Sequence, residues 1–311
     1  MTRFRRAVGA WVAAMTLLVL AACGPADPTT AGATGPLATG PLPAGTSGQV
    51  PLDGRPFALT VPAGYDAGTP VPLVVGLHGY TSSGAELASY LGLTAQSQDR
   101  GFLLATPDGT PDADGKPFWN ATTACCDFHD TGVDDSAYLA HLITTVEAQY
   151  AVDPARVYVV GHSNGGFMAL RMACEHADLV TAVVSVAGEM TDDVSSCTPA
   201  RPVSVLQVQG DADETIRYRG GSNGPGRRYP GAEQTVADWA GLDGCAAAPQ
   251  EGPALDLEDT VSGAETTPLT WSPCEAGTEV ALWTIAGGRH VPAWSPTFGP
   301  ALADWLLAHA R

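Results

Sequence analysis

A serine enclosed by small residues is the strongest chemical signal in this sequence. Ser163 lies in the stretch 157–173, "VYVVGHSNGGFMALRMA", in which four apolar residues lead into Gly-His-Ser-Asn-Gly-Gly and then into a helix-like pattern. A G-x-S-x-G motif between a strand and a helix is typical of a nucleophile elbow, a sharp turn that presents the serine hydroxyl. Because an ordinary glycine turn has the same spacing, the motif needs support from its context.

A second copy of the motif shows why context matters. Residues 220–224, Gly-Gly-Ser-Asn-Gly, place Ser222 in the same pattern. No apolar strand precedes Ser222, and Pro225 follows the motif where a helix would have to begin. We interpret this copy as a loop and Ser163 as the nucleophile.

A serine nucleophile requires a base that accepts its proton and an acid that orients the base. In hydrolases with a nucleophile elbow the chain order is Ser, then Asp or Glu, then His. His290 follows a predicted late strand in Gly-Gly-Arg-His-Val-Pro, and His129, in a long loop, is the alternative base. The acid is expected within residues 210–214, which leaves Asp211, Asp213 and Glu214 open. The other histidines are predicted to be structural or to point elsewhere: His78, His141, His162, His176 and His309.

The tetrahedral intermediate of acyl transfer also needs backbone N–H donors for its oxyanion. Asn164, directly after the nucleophile, is expected to supply one of them. The loop after Leu77-His78-Gly79 is expected to supply the second, from Tyr80.

Six further stretches belong together: "VPAGYDAGTPVPLVVGLHG", "TPDG" at 106–109, "FWNA…CC" at 118–126, "VDDSAYL" from Val133, "DPARVYVVGHSNGG" and "GDADETIRY". On these stretches the chain, from residue 54 to about 288, resembles the polyhydroxybutyrate depolymerase and feruloyl esterase group of α/β-hydrolases, which includes LpqC-like bacterial lipoproteins. The resemblance implies a Ser163–Asp213–His290 triad and an oxyanion hole at Tyr80 and Asn164. Members of the group often carry G-G-G-H with a tryptophan two places later, whereas here Arg289 precedes the histidine and Trp294 stands four places after it.

Short apolar segments alternate with longer amphipathic ones along the chain. The pattern predicts strands at 57–61, 73–77, 102–105, 156–160, 180–186, 203–208 and 279–285, and helices at 86–100, 134–150 and 300–310. This alternation predicts a mostly parallel sheet with helices on both faces, the α/β-hydrolase fold, with ligand sites at the carboxyl ends of the strands.

The first 48 residues are predicted to lie outside the catalytic domain. Arg3, Arg5 and Arg6 precede an apolar run of signal-peptide length, which ends in the lipobox-like Leu-Ala-Ala-Cys at Cys23. We expect a signal peptide at 1–22, lipidation of Cys23, a flexible linker rich in Pro, Gly, Ala and Thr to residue 48, and the catalytic domain at 49–311. In the alternative interpretation, a plain signal peptide is cleaved nearby and Cys23 is incidental.

Charge and cysteine content limit the partners and the compartment. The chain has 15 basic and 33 acidic residues, and the net charge of −18 disfavours nucleic acid and anionic lipid surfaces as partners. Besides Cys23, six cysteines in an exported chain favour disulfides over a metal site. Cys245 and Cys274 are the favoured pair, and Cys125 with Cys126 could either bridge each other or bond elsewhere. The remaining two cysteines are Cys174 and Cys197.

These features together predict an extracytoplasmic, membrane-anchored serine esterase that acts through an acyl-enzyme, without cofactor or metal. Its expected partner is a small-molecule or polymeric ester, and the lipid anchor is its only expected contact with the membrane. The alternatives are a peptidase or acyltransferase of the same fold, or a non-catalytic surface binding protein. Four aromatic residues are candidates for the substrate pocket or, equally, for ordinary packing: Trp119, Phe128, Phe167 and Trp294. Asp108, Asp112 and Asp114 share one loop but lack the EF-hand spacing of a calcium site, and we expect them to be turn residues.

Overall fold

The computed structural model describes Met1 and residues 36–246 and 248–311. Residues 2–22 of the predicted signal peptide, Cys23 and residues 24–35 of the predicted linker lie outside the described residues. Within the described ranges, none of the helices combines the length and the apolar character that crossing a membrane requires.

A ten-stranded sheet forms the centre of the domain, and two small hairpins accompany it. The strands in chain order are β1 (Ser47–Val50), β2 (Phe57–Thr60), β3 (Val71–Leu77), β4 (Leu103–Thr106), β5 (Thr110–Pro111), β6 (Pro117–Phe118), β7 (Val152–His162), β8 (Ala182–Val186), β9 (Ser204–Gly210), β10 (Gly221–Ser222), β11 (Arg228–Tyr229), β12 (Gln250–Glu251), β13 (Thr266–Trp271) and β14 (Val280–Ile285). The order of strands in the large sheet is β1-β2-β4-β3-β7-β8-β9-β14-β13-β12, in which six central strands are parallel and two antiparallel strands flank them on each side.

Helices cover both faces of this sheet, because its central strands are apolar on both sides. Side chains of α3, α4 and α5 share one hydrophobic core with the first face, and those of α1, α2 and α6 share a second core with the other. The α-helices are α1 (Gly84–Tyr90), α2 (Leu93–Arg100), α3 (Asp135–Gln149), α4 (Asn164–Glu175), α5 (Ala232–Leu242) and α6 (Phe298–Leu307). The predicted three-layer arrangement is therefore confirmed.

The predicted helix 86–100 is wrong in one respect, since the chain forms two helices there. Gly92 adopts φ 69° and separates α1 from α2, a left-handed conformation that glycine adopts without steric cost. At the start of α1, Ser83 and Glu86 form a capping box, in which each side chain accepts from the other residue's backbone N–H.

The folded domain begins earlier than the predicted boundary at residue 49. Leu37 bridges Gln49, and the Ala38 N–H donates to the Gln49 carbonyl at 2.7 Å. The Leu42 N–H donates to the Tyr150 hydroxyl at 2.6 Å. Residues 37–48 of the predicted linker thus have hydrogen-bond partners in the domain, and the composition of this segment concealed them.

Three disulfides join the six cysteines of the domain. Cys245 bonds to Cys274, as predicted, and Cys174 at the end of α4 bonds to Cys197. Cys125 bonds to its neighbour Cys126, which decides between the two alternatives for this pair.

Candidate active site

Ser163 stands at a sharp turn between β7 and α4, with φ 54° and ψ −119°. Its N–H donates to the Val186 carbonyl of β8 at 2.7 Å, which fixes the turn against the sheet. A methyl group on Gly161 would collide with the Gly165 carbonyl, and one on Gly165 would collide with the Leu77 carbonyl. The glycines on both sides of Ser163 are therefore needed for close backbone approach, as in a nucleophile elbow.

His290 and Asp213 lie at the carboxyl ends of β14 and β9, beside the elbow. His290 Nε2 is 2.9 Å from Ser163 Oγ, and His290 Nδ1 is 2.8 Å from Asp213 Oδ2. The Asp213 side chain is fully buried, whereas that of His290 is 17% exposed. The structure therefore brings all three predicted triad residues into one continuous hydrogen-bonded chain.

Backbone contacts between two loops hold this alignment. The Ala212 N–H donates to the Gly288 carbonyl at 3.0 Å, so the acid loop and the histidine loop run side by side. Asp211, the alternative acid, accepts the Gly287 N–H at 2.7 Å through Oδ1. Asp211 thus ties the loops together, and Asp213 is the carboxylate that meets the imidazole.

Asp213 accepts hydrogen bonds at both of its oxygens. Oδ1 accepts from the N–H groups of Thr215 (2.8 Å) and Ile216 (2.9 Å). Oδ2 accepts from His290 and also from Nε2 of Gln209, at 3.0 Å. These donors fix the plane of the carboxylate and therefore the direction in which it faces His290.

Gln209 was not identified from the sequence. Its Nε2 also donates to the Ile216 carbonyl at 2.8 Å, and its Oε1 is 3.3 Å from Nε2 of Gln207. Gln207 in turn donates to the Gly188 carbonyl at 2.7 Å. Both side chains are buried in β9, and buried amides need such partners. Glutamines at alternate positions of an otherwise apolar strand were the signal available in the sequence.

The two predicted oxyanion residues adjoin the nucleophile. Asn164 is the first residue of α4, where a backbone N–H has no acceptor within the helix. Its side chain accepts from the Trp119 N–H at 2.7 Å and donates to the Trp119 carbonyl at 2.8 Å. A methyl group on Gly79 would lie 3.4 Å from Ser163 Cβ, so the loop that carries Tyr80 touches the elbow.

The side chain of Tyr80 has a separate set of contacts. Its hydroxyl donates to Asp112 Oδ2 at 2.6 Å. Burial and the neighbouring Asp112 carboxylate raise the pKa of Tyr80 to about 12, so this phenol stays protonated at neutral pH. The Tyr80 ring packs edge-on against Phe128, with centroids 5.5 Å apart.

The remaining histidines near the site take different roles. His78 is buried, accepts the Gly109 N–H at Nε2 (2.8 Å) and donates from Nδ1 to the Gly79 carbonyl (2.7 Å), so it shapes the loop as predicted. Burial lowers the pKa of His78 and keeps this ring neutral. His129, the alternative base, lies instead 3.6 Å from Asp112 and 3.7 Å from Asp114.

Asp112, Asp114 and His129 form a group whose ligand atoms lie within 4.8 Å of one another. Asp108, which the sequence placed with them, accepts the Gly84 N–H instead. Asp112 Oδ1 accepts the N–H groups of Asp114 and Lys116, and Oδ2 accepts from Tyr80. These protein donors match the predicted role of Asp112 as a turn residue.

Two of the four candidate pocket residues take the alternative role of core packing. Trp119 and Phe167 are fully buried and belong to the hydrophobic core, where Trp119 Nε1 donates to the His78 carbonyl and Phe167 packs against Tyr229. Aromatic side chains close to a nucleophile in sequence are equally suited to core packing. Phe128 is 37% exposed, and the partly exposed Trp294 stacks on Phe298 with centroids 3.6 Å apart.

Ser222, in the second copy of the motif, lies in the β10–β11 hairpin. It is exposed, and its hydroxyl bonds to the Gly224 carbonyl of the same turn. It lines an open cleft of about 730 Å³ together with Arg219 and Arg228, and none of the predicted triad residues lines that cleft. The second copy of the motif thus lies in a surface hairpin rather than in the predicted loop, and β11, not a helix, follows Ser222.

Comparison with known proteins places the chain among esterases. Residues 52–239 match the family described as "Putative esterase". The putative esterase NocK of Nocardia uniformis subsp. tsuyamanensis is 29% identical over 268 residues, which cover 83% of this chain and 75% of that protein. Feruloyl esterase B of Piromyces equi is 27% identical over 244 residues, which cover 76% of this chain and 42% of the fungal protein. This chain thus spans less than half the length of that fungal relative.

Solved structures support the fold. An acetyl xylan esterase from Aspergillus awamori superposes with a TM-score of 0.59 at 18% identity, and the match covers 84% of this chain and 99% of the other. A thermostable esterase superposes with a TM-score of 0.57 at 17% identity, covering 86% of this chain and 63% of the other. At these identities the likeness concerns the α/β-hydrolase fold alone. A feruloyl esterase among the relatives agrees with that part of the predicted resemblance. From the family match, the chain belongs to the esterase family, with the α/β-hydrolase fold.

Proposed function

We propose that this protein hydrolyses carboxylic esters through an acyl-enzyme formed on Ser163. The observation that carries the proposal is the chain of hydrogen bonds from Ser163 Oγ to His290 Nε2 (2.9 Å) and from His290 Nδ1 to Asp213 Oδ2 (2.8 Å). This chain gives a serine hydroxyl the base that it needs, and gives the base a fixed tautomer and orientation.

The proposed reaction has two halves. Ser163 Oγ attacks the ester carbonyl while His290 Nε2 accepts the hydroxyl proton, and the N–H groups of Asn164 and Tyr80 stabilise the oxyanion. His290 then donates the proton to the departing alkoxide, which leaves as an alcohol. Water attacks the acyl-enzyme, His290 accepts its proton, and the acid leaves as Ser163 regains a hydrogen. Asp213 accepts the hydrogen on His290 Nδ1 and stabilises the imidazolium that forms in each half.

For the substrate, we propose an ester of a small or aromatic carboxylic acid. The relatives named a feruloyl esterase and an acetyl xylan esterase suggest these two acid types. Phe128 and Tyr80 form an aromatic pair in the loops that border the elbow, and Trp294 follows His290 closely in the chain. Aromatic surfaces of this kind favour a planar acid. The predicted polyhydroxybutyrate depolymerase activity is the competing possibility within the same reaction type.

We also propose that the protein works outside the cytoplasm. Three disulfides support this location, because cytoplasmic thiols are kept reduced. The lipobox-like sequence at Cys23 supports a lipid anchor on the membrane. Replacing Cys23 with Ser should move the protein from the membrane fraction to the soluble exported fraction, and unchanged fractionation would contradict the anchor.

The decisive experiment compares the two serines of the two motifs. Ser163→Ala should abolish both hydrolysis of p-nitrophenyl butyrate and labelling by a fluorophosphonate, because both need the activated hydroxyl. Ser222→Ala is the matched control and should retain both. Labelling that survives Ser163→Ala would contradict the proposed nucleophile.

A panel of acetyl, butyryl, hydroxybutyryl and feruloyl esters, assayed with and without an alcohol acceptor, then separates the substrates and tests for acyl transfer.

A further inference from the structure

His162 directly precedes the nucleophile, yet its ring contacts the loop of the catalytic histidine. His162 Nε2 lies 2.8 Å from the backbone carbonyl oxygen of His290. The two imidazole centroids are 5.1 Å apart, and the ring of Tyr90 from α1 packs edge-on against His162 at 5.2 Å. A methyl group on Gly79 would lie 3.3 Å from His162 Nδ1. The His162 ring therefore contacts the oxyanion loop and the histidine loop at once, from its place on the nucleophile strand.

The hydrogen bond to His290 defines the tautomer of His162. A carbonyl oxygen only accepts, so Nε2 of His162 carries the hydrogen. Burial lowers the pKa of His162 to about 4, against smaller opposing effects of the His290 carbonyl and of Asp213. At neutral pH the ring is therefore uncharged, with its one hydrogen on Nε2 and none on Nδ1.

The loop after β14 is attached on both sides of His290, for example by Gly287 to Asp211 (2.7 Å) and by Ala293 to Glu258 (2.9 Å), and the bond from His162 is made at the His290 carbonyl itself. On one side of His290, the Gly288 carbonyl accepts from Ala212 at 3.0 Å. On the other side, the Tyr90 hydroxyl donates to the Pro292 carbonyl at 3.1 Å. The bond from His162 holds the backbone at His290 itself. It links that backbone to β7, the strand that ends directly before Ser163.

We propose that His162 is a positioning residue, which holds the His290 backbone so that Nε2 of His290 stays within hydrogen-bond distance of Ser163 Oγ. The expected effect on kcat rests on the proposed function, whereas the restraint on the His290 backbone rests on the geometry alone. His162 acts through the His290 carbonyl and takes no proton from the substrate. A displacement of about 1 Å at a reacting group can lower a rate by about 10²-fold, so a single restraint of this kind has a measurable effect.

The test compares a variant that keeps the N–H donor with one that lacks it. His162→Gln places a side-chain NH₂ near the position of Nε2, whereas His162→Leu fills similar space without a donor. We expect His162→Leu to lower kcat for p-nitrophenyl butyrate by about 10- to 100-fold with KM changed less than about 3-fold. His162→Gln should recover kcat to within about 5-fold of the original protein. Equal kcat values for the two variants would show that His162 only fills space, and would overturn the proposal.

The control is a histidine away from the site. His141 is exposed on α3 and lies 3.1 Å from Asp53, so His141→Leu should leave kcat unchanged. Thermal melting of all variants shows whether each is folded at the assay temperature.

A second measurement needs no turnover. In ¹⁵N-histidine-labelled protein, the Nδ1–H of His290 that faces Asp213 should give a protected, low-field proton signal. His162→Leu should broaden or remove this signal, and His162→Gln should preserve it. A signal unchanged in His162→Leu contradicts the positioning role whatever the activity. If the original protein hydrolyses no ester in the panel while the signals behave as expected, the proposed function fails and the positioning role stands.

Discussion

Gln209 and His290 donate hydrogen bonds to the same oxygen of Asp213, at 3.0 Å and 2.8 Å. The NH₂ group of Gln209 donates one hydrogen to the Asp213 carboxylate and the other to the Ile216 carbonyl, which fixes the orientation of the amide. The Asp213 carboxylate is therefore also held by a side chain that is buried in the sheet. The acid of this site depends on the interior of the sheet as well as on its own loop.

Replacing Gln209 with Glu should lower kcat by about 10-fold or more and also lower the melting temperature. The new side chain has nearly the same shape, but it presents an acceptor, and when ionised a like charge, to the Asp213 carboxylate. The same substitution at Gln234, exposed on α5, is the matched control. Steady-state kinetics and thermal melting measure the two effects, and a Gln209→Glu variant with kcat within twofold of the original would refute the support role.

Asp213→Asn should lower kcat by about 10⁴-fold with little change in fold, because the amide stabilises the wrong imidazole tautomer. Asp211→Asn should leave kcat within a few fold, since an asparagine oxygen can still accept the Gly287 N–H. Comparison of kcat and melting temperature for the two variants checks the assignment. The reverse pattern would transfer the orienting role to Asp211.

Asp243 should make the protein less stable as the pH rises. Burial raises the pKa of this carboxyl to about 7, against smaller opposing effects of the Thr278 side chain and the Val203 N–H. The unfolded chain ionises near pH 3.8, so the stabilisation from the neutral carboxyl is complete below that pH and is lost as the pH rises through about 7.

We therefore expect Asp243→Asn to be more stable than the original protein at pH 8, by at most about 4 kcal/mol, and similar to it at pH 4. The asparagine retains an oxygen for the Val203 N–H, which Asp243 accepts at 3.3 Å. Urea unfolding at the two pH values gives the free energies, and exposed Asp259→Asn is the control. An equal change at both pH values would mean that ionisation of Asp243 is not the cause.

The elements that carry the site could be predicted from the sequence because their signals are local. The apolar runs of β3, β7, β8 and β9 identify buried strands, and the glycines on either side of Ser163 identify the turn. Asp213 was harder to identify as the acid, because Asp211 lies in the same short loop after β9. Only the packing of two loops that are distant in sequence distinguishes the aspartate that faces His290 from the one that bonds to Gly287.

The errors have physical causes of the same kind. Trp119 looked suited to a substrate pocket, but a large ring near the elbow also fills the core, and the choice depends on partners such as Asn164 that lie far away in the chain. Gln209 belongs to no motif that could be recognised in the sequence. It contacts Asp213 only when β9 and the acid loop fold together. Residues 37–48 have the composition of a linker, yet a few backbone bonds hold them to the sheet edge.

The turn at Ser163 also has an evolutionary consequence. A non-glycine residue with φ 54° and ψ −119° is strained, at a cost on the order of 1–3 kcal/mol, and glycine would relieve that cost. Selection for folding alone therefore favours a glycine at position 163, and selection for the proposed reaction opposes it. A descendant that lost its substrate would gain stability by abandoning the serine. A serine retained at position 163 therefore indicates continuing selection for the reaction. A survey of related sequences can test this without an assay.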